Sequence, residues 1–73
     1  MEMFTVRAHQ SRAQLRALEA WREAACLVRH RWEAFLLAAP EMRTFAFASY
    51  LAALDSEAAA AADLAALMPP VAA

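Results

Sequence analysis

A chain of 73 residues with seven arginines, eight acidic residues and a formal charge of −1 makes at most one small domain. At that size only about 60 % of the unfolded surface is buried on folding, so stability has to be supplemented by disulfides, a metal or a partner chain. Cys26 is the only cysteine and His9 and His30 are the only histidines, which excludes an intrachain disulfide and predicts no metal site.

Glycine is absent, and the familiar phosphate-cradling loops, oxyanion-hole turns and nucleophile elbows depend on it. The composition therefore predicts no enzyme, no cofactor and no small-molecule substrate. Lysine, asparagine and isoleucine are also missing while alanine, leucine and arginine dominate, so helix formers fill nearly every position and the predicted class is all-α. Arginine carrying every basic charge is the bias of a GC-rich genome, and the expected source is a bacterium of that kind or its phage. The longest uncharged run without proline, Thr44 to Leu54, is too short for the ~20 residues of a membrane span. The N-terminal "MEMFTVRAHQSR" has an acid near its start and no apolar stretch of the signal-peptide kind, so the expected location is cytoplasmic.

In chain order, residues 1–10 read as an N-terminal arm. Its "MFTVRA" segment is the one place where β-branched and aromatic residues gather, suiting either a helical lead-in or an extended arm that adds to a partner. Ser11 with Gln14 three residues on has the pattern of a helix cap and its capping-box partner. From there to Leu37, Leu18, Trp21, Ala25, Val28, Trp32 and Phe35 follow the alternating three-and-four spacing of a packing seam. Glu19, Glu23, His30 and Glu33 lie opposite, with Arg16 and Arg29 spaced to pair with Glu19 and Glu33. Cys26, beside the seam, reads as a small packing residue, and His30 as solvated.

Pro40 followed by Glu41 starts a second helix and keeps Ala39 out of α geometry. Beyond it Phe47, Leu51, Leu54, Ala58, Ala61, Ala65 and Met68 form a second stripe whose phase continues through Asp55-Ser56, favouring one long helix over a third helix started by "DSEA". Pro69-Pro70 ends it and leaves a tail, 69–73. The predicted fold is an antiparallel helical hairpin over residues 11–68, with helices near 12–38 and 41–68, pairing into a four-helix bundle. Leu18, Trp21, Val28, Trp32, Phe35, Phe47, Leu51 and Leu54 form its expected core. In outline this is similar to the small secreted WXG-type proteins, but "RWEAF" lacks the glycine and turn position of that motif, and nothing is carried over from them.

The stretch "RHRWEAFLLAAPE" is apolar around most of the helix. Leu36 and Leu37 point about 100° and 200° away from Phe35, and a single partner helix cannot cover all three. With Met42, Phe45 and Tyr50 leaving the second stripe nearby, a second buried surface is expected, provided by another copy or by another protein. The candidate interface residues are Trp21, Arg29, Arg31, Trp32, Phe35, Leu36, Leu37 and Phe45. Residues 1–38 hold six arginines and four acids, and residues 39–73 one arginine and four acids, so the first half is the basic one. Because acids interrupt those arginines, nucleic-acid binding is not the favoured expectation. The leading one is a dimeric, non-enzymatic protein-interaction module: an accessory subunit, adaptor or inhibitor. A small DNA-binding regulator or antitoxin, and a structural subunit of a larger assembly, are the alternatives.

Overall fold

The computed structural model describes residues 2–68, and side chains from Ser11 onward. It is an antiparallel hairpin of α1 (Glu2–Leu37) and α2 (Arg43–Leu67), joined by Ala38, Ala39 and a single 3₁₀ turn, Pro40–Met42. Among the described residues there is no strand. The expected tail, 69–73, lies outside them.

Prolines set both ends of α2. The residue before a proline is pushed out of α geometry by the ring, and Ala39 (ψ 151°) and Met68 (ψ 144°) are both extended. Pro40, whose missing N–H costs nothing in a first turn, then opens the 3₁₀ turn, and the Met42 N–H donates to the Ala39 carbonyl at 2.8 Å. The single long second helix is as expected: α2 runs through Asp55 and Ser56 without a break, and the alternative third helix does not form.

The start of α1 differs from expectation. It begins at Glu2 and passes through Ser11, so Ser11 is an interior residue and the segment read as an arm is the first part of α1. Between Glu2 and Ser11 there is no glycine or proline, and a favourable cap cannot end a helix that has no reason to stop upstream. Gln14, freed from the capping-box role, donates from Nε2 to the Leu67 carbonyl at 2.8 Å. That bond satisfies one of the orphan carbonyls at the end of α2 and fixes the register of the open end.

The molecule measures 60 × 26 × 13 Å. Its thickness is little more than the ~10–12 Å diameter of one helix, so nearly every side chain reaches a surface. The radius of gyration is 17.2 Å, against about 11 Å for a compact domain of this length. Ala53, 3 % exposed, is the one fully buried apolar residue among those described.

The seam on α1 is the predicted one: Leu18, Trp21, Ala25, Val28 and Phe35 are half-buried there, while Trp32 keeps one edge in solvent. On α2 the seam is shifted by one residue. Ala46, Tyr50, Ala53, Glu57, Ala60 and Leu64, again in four-and-three steps, face α1, and Phe47 and Leu51 of the expected core are exposed. Two adjacent stripes on α2 have heptad spacing, and in a helix so rich in alanine the apolar pattern does not choose between them. The inward one places small Ala46, Ala53 and Ala60 at seven-residue intervals along the line of contact.

This shift is testable with one chemical change at two sites. Ala53→Leu forces extra methylenes into the tightest part of the seam and should cost about 1–3 kcal/mol. Ala62→Leu, on the outer edge of α2, should change stability by less than about 0.5 kcal/mol. Thermal melts should separate the two variants by at least about 4 °C. Equal melting temperatures would place the seam elsewhere.

Candidate interaction surface

A hairpin one helix thick has two broad faces, and helical spacing assigns side chains to each. Four aromatic rings anchor the turn end of the seam. Trp32 lies 5.5 Å from Phe35 and 5.1 Å from Tyr50, and Phe47 lies 5.4 Å from Phe35 and 6.2 Å from Tyr50, in tilted and edge-on pairings that favour ring quadrupoles. Tyr50, expected to leave the core, is part of this cluster. The one-residue shift of α2 brings it in.

One face, here the front, continues from that cluster. Leu15 and Leu18 of α1 meet Leu64 and Met68 of α2 in an open apolar groove of about 330 Å³ near the open end of the hairpin. Along the middle of the same face Arg22 and Arg29 line a wider groove with Trp21, Ala25, Val28 and Glu57. Leu36 is 18 residues, five helical turns, from Leu18 and therefore shares its face. On α2 the front carries the stripe read from the sequence as core: Phe47, Leu51, Leu54, Ala58, Ala61, Ala65 and Met68. That stripe is apolar, and although Phe47 touches Phe35 and Leu54 and Ala61 are half-buried, its outer side, with Leu51, Ala58, Ala65 and Met68 exposed, has no helix of the same chain over it.

The back is smaller in chemistry. Arg31, Ala34, Ala38, Met42, Phe45, Ala46 and Ser49 line a groove of about 220 Å³ at the turn end. Phe45, 70 % exposed, sits there, and Leu37, 87 % exposed, projects from the outer edge of α1. The eight candidate interface residues are thus divided. Trp21, Trp32 and Phe35 belong to the seam, Arg29 and Leu36 to the front, Arg31 and Phe45 to the back, and Leu37 to the edge. Leu36 and Phe45 were expected in one interface, and the structure puts them on opposite faces. Glu57, half-buried against the arginines, is the front-face residue that the sequence pattern did not single out.

Chemically, these faces can remove apolar area from water and pair a few charges. Cys26 Sγ and His30 Nε2 lie 3.7 Å apart, one turn apart on α1 and outside the apolar stripes. Among the described residues no group of three or more His, Cys, Asp or Glu gathers at one point. No described helix is long and apolar enough to cross a membrane. The chain exposes 6094 Å², whereas a compact monomer of 8.0 kDa exposes about 4,450 Å². The excess is about 1,600 Å². Comparison with protein-family models, with curated proteins and with solved structures finds no match for this chain.

Proposed function

We propose that this protein is a small non-enzymatic interaction module, an accessory subunit, adaptor or inhibitor, that works by laying an apolar face of its hairpin against another polypeptide. The observation that carries the reading is the excess of exposed area, which coincides with large apolar side chains on a folded, regular scaffold rather than on loops. Leu36 and Leu51 are 60 % and 45 % exposed, so leaving them in water forgoes roughly half of the gain from full burial, about 1 kcal/mol for each, a sizeable share of what a domain this small holds in reserve. A role as a structural subunit of a larger assembly uses the same surface.

The arginines support protein over duplex DNA as the partner. Arg22 and Arg29 lie on the front beside Glu57 and Arg31 lies on the back, so these three do not gather on one face free of acids.

Cross-linking of a tagged chain in its native host, followed by purification, tests the proposal. The expected product is a stoichiometric protein complex that Leu36→Glu/Leu51→Glu abolishes. A chain recovered as a free, folded monomer would overturn it. In a gel-shift assay at physiological salt the chain should show none of the tight binding, about 10⁻⁸–10⁻¹¹ M, of a specific regulator. Tight, salt-sensitive binding weakened by Arg16→Ala or Arg29→Ala would instead favour the regulator.

A further inference from the structure

The front face carries more than an apolar patch: it sets the α2 stripe from Phe47 to Met68 beside Leu15, Leu18, Arg22, Arg29 and Leu36 of α1 at matched levels. Within the chain, Gln14 lies beside Leu67, Trp32 beside Tyr50 and Phe35 beside Phe47, so the register of α1 against α2 is fixed along its length. We propose that the front face is occupied by a second copy of this chain, with the two turns at the same end and α1 of each copy lying across α2 of the other. This rests on the interaction-module reading above and names the partner.

Three observations favour a second copy over a different protein. The first is symmetry: a two-fold axis along the hairpin sets α1 of one copy against α2 of the other in the register already used inside each chain. Leu36 then meets Phe47, Trp32 meets Leu51, Ala25 meets Ala58 and Leu18 meets Ala65, so apolar residues face apolar residues in these four layers and small ones meet at the middle. Every neighbouring pair of helices is antiparallel, the arrangement of an up-down four-helix bundle.

The second is charge. Arg22 and Arg29 line the front-face groove together with Glu57, and the same axis carries the arginines of one copy over the glutamate of the other. Opposite charges thus approach in the middle of the face, where Arg22 and Arg29, two turns apart, interrupt the apolar residues of α1. The reverse arrangement, with the copies head to tail, stacks α1 on α1 and sets arginine against arginine.

The third is area. The chain exposes 6094 Å², about 1,600 Å² more than a compact monomer of its mass. Because α1 runs on past the end of α2, only part of that excess lies on the front, and covering about half of it on each copy buries about 1,600 Å² in total, the size of a standard specific interface.

Sedimentation equilibrium of the purified full chain at micromolar concentration should give twice the chain mass. Leu36→Glu/Leu51→Glu should raise the dissociation constant at least about a hundredfold, while Phe45→Glu on the back should leave it unchanged. Both leucines are exposed in the single hairpin, and far-UV circular dichroism checks that the variant stays helical. Independently, in a Cys26→Ser background, a chain carrying Ala25→Cys mixed with one carrying Ala58→Cys should form an intermolecular disulfide. A wild-type chain that sediments as a folded monomer overturns the second copy, and the host cross-linking experiment then decides separately whether a different protein binds. A dimer that survives Leu36→Glu/Leu51→Glu but dissociates with Phe45→Glu overturns the choice of face. Cross-linking of Leu36→Cys to Leu15→Cys in preference to the first pair overturns the arrangement of the copies.

Discussion

Ser56→Pro should destabilise the protein by about 3 kcal/mol or more, because proline inside a helix removes one hydrogen bond and drives its ring against the carbonyl four residues back, here that of Ala52. Ser56 lies in the interior of α2, with helix continuing on both sides. Against a total stability of about 4–11 kcal/mol for a chain this long, that is a large fraction. The melting temperature should fall by about 12–24 °C. The experiment discriminates, because a helix starting afresh at Asp55 would make Ser56 its first residue, where proline is welcome. A variant melting with the wild type would show that α2 is two helices.

Phe35→Ala should cost about 2–3 kcal/mol. A fully buried phenylalanine loses about 3–5 kcal/mol on truncation, and Phe35 is only half-buried, which places it below that range. Its ring joins Trp32 of α1 to Phe47 of α2 at 5.5 and 5.4 Å, so removing it loosens the turn end of the seam. Chemical denaturation followed by tryptophan fluorescence reads the stability, and in a Trp21→Phe background it reads the environment of Trp32 alone. Phe45→Ala is the control. That ring is 70 % exposed and outside the cluster, and its loss should change stability by less than about 0.5 kcal/mol. A double-mutant cycle on Phe35 and Phe47 should recover a coupling of about 0.5–1.5 kcal/mol. Equal losses at Phe35 and Phe45 would mean that the cluster contributes nothing beyond general apolar cover.

Much of the hairpin is legible in the residues because its signals are local. Pro40 and Pro69 act on the residue before them through steric contact, and the extended Ala39 and Met68 follow directly. The α1 stripe is legible because large residues, Leu18, Trp21, Val28 and Phe35, stand out against charged ones, so one direction around the helix is clearly apolar. Ser11 misleads for the opposite reason. A cap is a preference of about 1 kcal/mol that acts only where a helix already has cause to begin, and α1 begins nine residues earlier. The exposed apolar surface is legible in part. Leu36 and Leu37 are both exposed, as the excess apolar width of the helix implies, but sequence spacing on one helix carries no information about which face of the other helix it joins, and Phe45 falls on the far side.

Sequence alone determined that this protein is all helix, where it turns, and which side of α1 faces inward, because each of these depends on steric and solvation effects within a few residues. Only the tertiary structure decided which of the two heptad stripes of α2 faces α1. Alanine gains little on burial and gains the same in either direction, so the free energy of turning α2 by one residue is set by what stands opposite. Ala46, Ala53 and Ala60 fit along the line of contact with α1, and Tyr50 joins Trp32 in the ring cluster. Leu51 is turned toward the front, where the same chain has no helix to cover it, while Phe47 and the half-buried Leu54 lie at the edge between seam and front.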